Sequence, residues 1–328
     1  SGLYEALLLL EGYNIDVIGL DEGSLFYPQE PVLTIEGNYK DFCDLETALL
    51  GFLCQSSGIS TKSARLKKMA GEKPILSFGV RRMHPTIAPM IDRAAYLGGL
   101  DGFSCIGAEK IVGKKASGTM PHSLALIIGD SKEAFVLFDE IIDKNIPRIM
   151  LVDTFCDEKR EALIAAESVK NLAGVRLDTP GSRRGNMSKI IQEVRWELDI
   201  RGYEDVKIFL SGGLDEESFN SFKDADAYGV GTSVSNAKTI DFALDIVEIE
   251  GKPFTKRGKL SGKKTVLRCP KCMKGKVVYG KTSEKCTCGE KMKPAQKDLM
   301  KKGEILIDFE DVTSLRTKVL NQISKVEF

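Results

Sequence analysis

The alternation of short apolar runs with longer amphipathic stretches constrains this chain more than any other feature of its sequence. Between Lys73 and Glu250, most of the apolar runs are separated by segments in which apolar side chains recur at helical spacing. This pattern predicts strand–helix–strand units and a parallel sheet. Repeated units of this kind fit an α/β barrel, irregular or incomplete, better than a sandwich. The apolar runs are 75–78, 149–152, 175–177, 208–210 and 227–230, and the helical stretches include 158–172, 187–201 and 216–223.

The length of 328 residues predicts two or three domains. Because the sequence starts at Ser1 without a methionine, one interpretation is that an upstream segment is missing. Apolar spacing near the start predicts helices at 4–11, 45–54 and 62–70 and a strand at 31–35. We expect a small N-terminal α/β domain over 1–73, an α/β barrel carrying the active site over 74–250, and a basic C-terminal extension over 251–328.

The charge of the chain is balanced as a whole but not along its length. Lys and Arg together number 47, as do Asp and Glu, yet residues 251–328 hold 20 basic and 8 acidic residues. Residues 1–250 hold 27 basic and 39 acidic residues. The chain therefore consists of an acidic body, residues 1–250, and a basic tail, residues 251–328. No apolar run approaches the roughly 18 residues of a membrane span, and no secretory segment opens the sequence. We therefore expect a cytoplasmic protein that does not enter membranes.

Polar and glycine residues follow the apolar runs directly. Because the carboxyl ends of barrel strands face a common mouth, we expect these residues to converge there. Glycine turns let backbone N–H groups approach phosphate oxygens, arginines bind phosphate in a bidentate manner, and carboxylates hold Mg²⁺ or sugar hydroxyls. The sequence therefore predicts a site for a phosphorylated substrate. Its residues would be Asp153, Asp178, Ser211, Gly212, Gly213, Gly231, Thr232, Arg81 and Arg82.

Each of these signals has an ordinary structural explanation when it is taken alone. Asp153 or Asp178 could be a helix N-cap, Ser211-Gly212-Gly213 could be a plain tight turn, and Arg81-Arg82 could be a solvated surface pair. Only their joint position after successive predicted strands favours a site.

The chain has two histidines, His84 and His122, and a lone histidine is more often structural than catalytic. His84 follows the arginine pair, however, and His122 closes the stretch 117–121, which could lie near a phosphate at a helix start. Arg183 and Arg184 follow Asp178, near the expected mouth.

Seven motifs, in the order in which they occur here, resemble the type II phosphoribosyltransferases of NAD biosynthesis, and specifically the archaeal type of nicotinate phosphoribosyltransferase. The resemblance extends from about Leu25 to Lys264. Each motif is moderately specific alone, and the ordered set is very specific. The motifs lie at 46–53 with 57–61, 77–85, 118–123, 151–154, 175–179, 211–215 and 229–232.

The resemblance implies an incomplete α/β barrel packed on a smaller α/β domain. It implies an enzyme that joins nicotinate to phosphoribosyl pyrophosphate with Mg²⁺, releasing nicotinate mononucleotide and pyrophosphate. It further implies a homodimer or higher homo-oligomer, in which a neighbouring subunit completes the site, and possible coupling to ATP hydrolysis through a phosphorylated histidine.

By match of motif, Phe78 would stack on the pyridine ring, and Arg81 would bind carboxylate or phosphate. His122 would be the phosphorylated residue, and Arg176 and Asp178 would contact nicotinate and ribose. The turns at Gly212-Gly213 and Gly231-Thr232 would hold the 5′-phosphate. Further site residues would be Arg82, Thr119, Ser211 and Asp153.

Two departures bear on the choice of substrate. The related quinolinate enzymes carry an arginine where Thr47 stands, and a His-Arg pair where this chain reads Leu-Asp-Gly-Phe-Ser over 100–104. Without those cations a second carboxylate would be costly to bury, which favours nicotinate over quinolinate. Nicotinamide is disfavoured more weakly, because Arg81 and Arg176 suit an anionic ring substituent.

The tail contains two closely spaced cysteine pairs, and clustered cysteines in a cytosolic chain more often bind metal than form disulfides. Four thiolates suit tetrahedral zinc, so we expect a closed, structural zinc knuckle. An alternative of another class is a zinc ribbon that binds protein or nucleic acid beside a degenerate barrel, although we disfavour a nucleic-acid partner. The predicted ligands are Cys269, Cys272, Cys286 and Cys288.

Overall fold

The computed structural model describes residues 1–183 and 185–327, so Arg184 lies outside the described residues. The chain forms two compact units. Unit 1 contains Ser1–Ala64, Tyr96–Gly99 and the residues from Lys238 onward, and unit 2 contains Arg65–Ala95 and Leu100–Ala237. The sequence analysis expected three consecutive domains, divided at residues 73 and 250, which differ from these two units. That division into folding domains stays a prediction.

The first elements of unit 1 are two helices and two strands. Helix α1 and strand β2 lie close to the predicted segments, whereas β1 was not predicted. The helices expected at 45–54 and 62–70 form one continuous helix, α2, which begins in unit 1 and ends in unit 2. Within this helix the hydroxyls of Ser60 and Ser63 donate to carbonyls one turn earlier, so these buried polar side chains have hydrogen-bond partners. The bounds are α1 (Leu3–Leu10), β1 (Ile15–Leu20), β2 (Leu33–Gly37) and α2 (Glu46–Ala70).

Unit 2 follows the predicted alternation of strands and helices. All five strands expected from the apolar runs are present within a residue or a few of the predicted bounds. The additional strand β4 was not predicted. The elements are β3 (Ile75–Ser77), α3 (Ala88–Leu97), β4 (Gly102–Phe103), α4 (Glu109–Val112), α5 (His122–Ile128), α6 (Ser131–Ile141), β5 (Arg148–Leu151), α7 (Glu158–Ser168), β6 (Leu172–Leu177), α8 (Met187–Asp199), β7 (Lys207–Leu210), α9 (Glu216–Ser221), β8 (Ala227–Val230) and α10 (Thr232–Ser235).

Among the described residues, six strands of unit 2 form one parallel sheet in the order β4-β3-β8-β7-β6-β5. Strand β8 is buried along its whole length, as expected for a parallel strand covered on both faces. The sheet is curled and open, with β4 and β5 at its two ends. The predicted α/β fold is therefore confirmed, and the predicted incomplete barrel corresponds to a curled half-barrel sheet. Because every strand runs the same way, the strand ends named in the sequence analysis share one edge.

The basic tail provides the larger part of the β-structure that the structure describes in unit 1. Antiparallel pairing joins β15 to β1 from the start of the chain, in the sheet β16-β15-β1-β2. A second described sheet has the order β12-β11-β14-β13, and β9 pairs with β10. The elements are β9 (Glu248–Ile249), β10 (Lys252–Pro253), β11 (Thr265–Arg268), β12 (Gly275–Val278), β13 (Glu284–Lys285), β14 (Lys291–Pro294), β15 (Gln296–Lys301), β16 (Glu304–Ile305) and α11 (Val312–Ile323).

Part of the opposite charge of body and tail is paired inside unit 1. Lys297 reaches Asp21 at 2.8 Å, and Lys263 reaches Glu36 at 2.8 Å. These pairs are largely exposed, and each contributes little to stability. They nevertheless account for some of the basic surplus of the tail. Along the described chain, no helix combines the length and the apolar character needed to cross a membrane.

A buried ion pair joins β11 to the segment between β1 and β2. The Arg268 guanidinium donates to Glu30 at 2.6 Å, and the Glu30 side chain is only 3% exposed. The same guanidinium donates to the Leu25 carbonyl and lies over the Tyr27 ring, while the Tyr27 amide donates to Glu30. Both charges of the pair are therefore well supplied with partners, as a buried pair requires.

We expect Arg268→Met to lower the free energy of unfolding by about 3–5 kcal/mol, because it leaves the Glu30 carboxylate buried without its cation. Urea unfolding followed by circular dichroism measures the change. Lys297→Met removes an exposed pair and should cost no more than about 1 kcal/mol. Equal losses in the two variants would contradict this account of the buried pair.

Candidate functional site

The polar residues after β5, β6 and β7 meet the start of α5 in one cluster, all within unit 2. The cluster, called the strand-end cluster below, consists of His122, Asp153, Arg176, Asp178 and Ser211. Arg176 is the next-to-last residue of β6, and the others lie directly beyond a strand or at the first residue of α5. The expected convergence of these sequence-predicted residues is therefore present in the structure.

His122 stands at the centre of the strand-end cluster. Its Nδ1 lies 3.2 Å from the Thr154 hydroxyl oxygen, within hydrogen-bond distance. On the other side of the ring, Nε2 lies 3.8 Å from a carboxylate oxygen of Asp153 and 3.8 Å from one of Asp178. Partial burial lowers the pKa of His122, and the negative charge of Asp178 opposes this shift. One nitrogen of the imidazole is thus held by Thr154, and the other faces two carboxyl groups.

The Asp153 carboxyl group is buried without a hydrogen-bond partner. Its side chain is 2% exposed, and neither oxygen has a partner of normal geometry among the described residues. Burial, reinforced by the charge of Asp178, raises the pKa of Asp153 from 3.8 to about 7, against the lowering effect of Arg176 and the Asp178 amide. Such groups are concentrated at sites where a carboxyl takes up protons, metal ions or substrate.

Arg176 and Ser211 hold Asp178 from the neighbouring strands. The Ser211 hydroxyl donates to Asp178 at 2.7 Å, and the Arg176 guanidinium lies 3.6 Å from the other oxygen of the same carboxylate. Arg176 also donates to Ser211 and to the Met120 carbonyl, which ties the loop before α5 to β6. Its buried Nε has no partner in the part of the chain that the structure describes. One donor of this arginine is thus available to a ligand.

Phe78 reaches the strand-end cluster across a glycine of β8. A Cβ atom at Gly229 would lie 2.7 Å from the Phe78 ring and 3.2 Å from the Ser211 Cβ, so only glycine lets the ring lie against this strand. Phe78 is half-buried, and its amide donates to the Val230 carbonyl. At the following residue, Gly79, an added Cβ atom would lie 2.5 Å from the Gly231 carbonyl oxygen, so this position also needs glycine. The structure therefore places an aromatic ring beside the polar cluster.

The two glycine turns lie at the ends of adjacent strands. Gly212 and Gly213, after β7, have φ angles of 90° and 67°, which favour glycine. Gly231 and Thr232 lie at the start of α10 after β8, and the Ser233 hydroxyl of this helix donates to the Leu214 carbonyl beyond the first turn. This hydrogen bond holds the two turns next to each other, as is required if both bind the same ligand.

The remaining predicted residues lie outside the strand-end cluster. Arg81 and Arg82 occupy a short 3₁₀ helix after β3, and their side chains are exposed; Thr119 is exposed as well. Burial lowers the pKa of the Arg176 guanidinium, and the positive charge of Arg81 adds a smaller effect in the same direction. His84 is exposed, and its Nδ1 accepts a hydrogen bond from the Thr86 amide.

Sequence reasoning gave no role to two residues that shape the cluster, Thr154 and Glu161. Thr154 contacts His122, and Glu161 is fully buried and accepts hydrogen bonds from the loop after β5. A signal was present, because Glu161 shares the buried side of α7 with Ala162 and Ala165. An acidic residue on the apolar side of a helix usually has buried partners.

The four tail cysteines come together in unit 1, as their spacing predicted. Their sulfur atoms all lie within 4.8 Å of one another, with 3.5 Å between Cys269 and Cys288 and 3.6 Å between Cys272 and Cys286. Four thiolates at about 2.3 Å from one tetrahedral zinc ion would be about 3.8 Å apart. Leu267, Val278 and Met292 surround the cysteines in a small buried core. The cluster can hold a metal ion such as zinc.

We expect Asp153→Asn to stabilise the fold above pH 7. The raised pKa means that the folded chain binds more protons than the unfolded chain between about pH 4 and 7, so the contribution of Asp153 to stability falls as the pH rises. Asparagine removes this cost, and the gain over the parent should be about 2–4 kcal/mol at pH 8 and close to zero near pH 4. Urea unfolding followed by the fluorescence of Trp196, which lies in unit 2, measures the difference. A difference that does not change with pH would contradict the buried-carboxylate account.

Comparisons with known proteins agree on one family. The family profiles for quinolinate phosphoribosyl transferase match the chain over residues 1–57 for the N-terminal domain and 59–245 for the C-terminal domain. A nicotinate phosphoribosyltransferase of Mycobacterium tuberculosis is 30% identical over 270 residues, which is 77% of this chain and 59% of the relative. A nicotinate phosphoribosyltransferase of Bacillus subtilis is 32% identical over 66% of this chain and 45% of its own length. The chain thus spans about half the length of these curated relatives.

Two solved structures resemble the fold. The crystal structure of nicotinate-nucleotide pyrophosphorylase from Pyrococcus furiosus is 54% identical, with a TM-score of 0.96 over 100% of this chain and 85% of the other. Human nicotinic acid phosphoribosyltransferase, at 20% identity, has a TM-score of 0.67 over 99% of this chain and 79% of its own, and supports the fold alone. The resemblance drawn from the motifs is confirmed at the level of the family. The chain belongs to the quinolinate phosphoribosyl transferase family of type II phosphoribosyltransferases, which are enzymes.

Proposed function

We propose that this chain transfers the phosphoribosyl group of phosphoribosyl pyrophosphate to nicotinate, giving nicotinate mononucleotide and pyrophosphate for NAD biosynthesis. The observation that carries the proposal is the strand-end cluster, in which Asp153 and Asp178 face the same nitrogen of His122 beside Arg176. The curated relatives from M. tuberculosis and B. subtilis bear the name of this activity. Family membership supports phosphoribosyl transfer in general, and the choice of nicotinate is part of the proposal.

The chemistry of the transfer needs the groups that the cluster provides. The pyridine nitrogen forms a bond to C1′ of the ribose, and pyrophosphate leaves with the electrons of the bond that breaks. Positive charge develops on the sugar and negative charge on the leaving group, so a carboxylate such as Asp178 suits the sugar and arginine suits an anion. Attack by the ring nitrogen requires positioning rather than a protein nucleophile.

Each predicted binding role has a structural basis in unit 2. The half-buried Phe78 ring offers a stacking face for the pyridine ring. The partnerless Nε of Arg176 is a buried donor suited to the nicotinate carboxylate. The tied turns at Gly212-Gly213 and Gly231-Thr232 offer backbone N–H groups for the 5′-phosphate, with Ser211 beside them. Arg81, Arg82 and Thr119, all exposed, would contact substrate phosphates at the rim.

Magnesium fits the donor set of the strand-end cluster. The two Asp153 oxygens are buried and lack partners among the described residues, and Asp178 adds a carboxylate next to them. Hard oxygen ligands of this kind are those that Mg²⁺ prefers, usually together with substrate phosphates. Asp153 and Asp178 would hold the ion, which would supply charge neutralisation for the pyrophosphate.

We further propose that His122 couples the transfer to ATP hydrolysis. When Nδ1–H donates to the Thr154 hydroxyl oxygen, the Nε2 lone pair is free, and the lowered pKa of His122 keeps the ring neutral. A neutral, fixed imidazole can accept the γ-phosphoryl group of ATP on Nε2, with ADP as the leaving group. The phosphate would then lie beside the two carboxylates and Arg176.

Quinolinate is the second candidate substrate, because the matching family profiles carry its name and the Pyrococcus relative is a nicotinate-nucleotide pyrophosphorylase. Residues 100–104 speak against it: Leu100 and Phe103 are fully buried, and Asp101 pairs with Lys67. These residues offer no cation for a second carboxylate. Nicotinamide is a weaker alternative, since Arg176 favours an anion.

We propose zinc as the ion of the cysteine cluster, with a structural role. Backbone amides of Lys271 and Cys272 point to the Cys269 sulfur, and that of Cys288 points to the Cys286 sulfur, as in closed zinc knuckles. Strand β11, next to the cluster, is joined to the segment between β1 and β2 by the Arg268–Glu30 ion pair, which favours an integral part of the enzyme over a separate nucleic-acid-binding or protein-binding zinc ribbon. Salt-sensitive RNA binding would support that alternative.

Two further parts of the proposal concern the state of the protein. We propose a homodimer or higher homo-oligomer in which a neighbouring subunit completes the ring-binding site, and a cytoplasmic location. Sedimentation and cell fractionation test them separately.

The activity test mixes the protein with Mg²⁺, phosphoribosyl pyrophosphate and either nicotinate or quinolinate, with and without ATP. We expect nicotinate mononucleotide from nicotinate, and stimulation by ATP that His122→Ala abolishes while ATP-independent transfer persists. His84→Ala, the other histidine variant, should keep the stimulation. Chromatography of the nucleotide product measures all arms.

The outcomes separate the alternatives. No nicotinate mononucleotide under any condition would overturn the enzyme proposal. Product from quinolinate alone, with release of one CO₂ per turnover, would make quinolinate the substrate. Full ATP stimulation in His122→Ala would rule out the phosphoryl relay.

For the cysteine cluster we expect about one zinc ion per chain in protein prepared without chelator, because four thiolates fill the tetrahedral shell. Cys272→Ser should lower zinc content and melting temperature together. The control is Cys156→Ser, an exposed cysteine of unit 2, which should retain the full metal content. Metal analysis by mass spectrometry gives the stoichiometry, and protein without zinc would contradict the assignment.

A further inference from the structure

The loop between β5 and α7 is held by one buried side chain. Glu161, in the first turns of α7, is fully buried, and its carboxylate accepts from the main chain of this loop. The Thr154 amide donates to Oε2 at 2.9 Å, and the Phe155 amide donates to Oε1 at 2.8 Å. The Cys156 amide lies 3.4 Å from Oε1, and the Ser131 hydroxyl donates to the same oxygen at 2.8 Å. Oε1 thus faces three donors and Oε2 accepts from one, so neither oxygen is without a partner.

The same loop carries the residue that orients His122. The backbone of Thr154 is fixed by Glu161, and the hydroxyl of Thr154 lies 3.2 Å from His122 Nδ1. A continuous chain of hydrogen bonds therefore runs from the buried carboxylate through Thr154 to the imidazole. It leaves Nε2 directed at Asp153 and Asp178.

We propose that Glu161 is a positioning residue for His122, acting through the main chain and hydroxyl of Thr154. The inference rests on the proposed function for its catalytic meaning, but the geometry that it describes can be tested without turnover. Glu161 makes no hydrogen bond to the imidazole or to the predicted substrate groups. Burial lowers the pKa of His122 and the negative charge of Glu161 opposes this shift, whereas the hydrogen bonds of Glu161 act on the ring through the loop.

The chemistry of the contacts requires a carboxylate rather than an amide at this position. Two oxygens accept from donors on separate sides, Thr154 on one and Phe155 with Ser131 on the other. In Glu161→Gln one of the two oxygens becomes an NH₂ group, which faces an amide donor and leaves it without an acceptor. A buried N–H that loses its acceptor shifts the backbone to find another.

The chain suits a spectroscopic test because it has only two histidines. Long-range ¹H–¹⁵N spectra of the imidazole rings give separate signals for His84 and His122, and His84 serves as an internal reference. The variants are Glu161→Gln, Thr154→Val, the double variant, and Ser131→Ala as the matched control. Ser131→Ala removes one hydrogen bond to Glu161 and leaves the three loop amides in place.

We expect Glu161→Gln to move the His122 Nδ1 resonance in the same direction as Thr154→Val, while His84 stays unchanged. The double variant should shift it no further than Thr154→Val alone, because both changes interrupt one path. Ser131→Ala should leave His122 as in the parent. If ATP-stimulated transfer is present, its kcat should fall on the order of 10²-fold in Glu161→Gln, with KM for nicotinate little changed.

Two results would overturn the inference: an unmoved His122 signal in Glu161→Gln, or shifts that add in the double variant. Should Glu161→Gln fail to fold, hydrogen exchange of the parent protein decides. The amides of Thr154, Phe155 and Cys156 should exchange far more slowly than unbonded loop amides, and fast exchange would rule out the restraint. If the His122 signal moves in the variants as expected but the protein has no transferase activity, the proposed function is refuted and the positioning role of Glu161 remains supported.

Discussion

Parallel hydrogen bonding in the sheet of unit 2 is the constraint on which the candidate site depends. Because the six strands run in one direction, the residues after β5, β6 and β7 are delivered to a single edge although they are dozens of positions apart in sequence. The helices between the strands cover the sheet faces and leave this edge to loops. A site that uses Asp153, Asp178 and Ser211 together therefore needs no long-range contact other than strand pairing.

Desolvation then gives these ordinary side chains their chemical character. Asp153 is destabilised by burial and by its acidic neighbour, which raises its pKa, whereas burial lowers the pKa of His122. The two shifts favour neutral groups in the apo site. A cation or a phosphorylated ligand changes that balance, so binding and protonation are coupled here. The zero net charge of the chain has no bearing on this local chemistry.

The sequence predicts those parts of the molecule in which burial produces a continuous run or a regular spacing of residues. Strands covered on both faces appear as unbroken apolar runs, which is why β5 to β8 and the residues following them could be predicted. Cysteine spacing predicted that the four tail cysteines lie together. Strand β1 was missed because its main partner, β15, lies far away in sequence and both strands contain charged residues. Glu161 was missed because its role depends on main-chain donors, which carry no residue identity. The exposure of Arg81 and Arg82 likewise follows from tertiary packing rather than from their positions after a strand.

The pairing of β1 with β15 also has a consequence for synthesis on the ribosome. Val17 pairs with Met300, so one edge of β1 stays without its partner until residue 300 has been made. Unit 2 lies between these strands in sequence and can reach its native contacts earlier. During that interval β1 and β2 present an open strand edge, the kind of surface that recruits chaperones or other nascent chains. The sheet of unit 1 can therefore be completed only after every residue of the strand-end cluster has been synthesised.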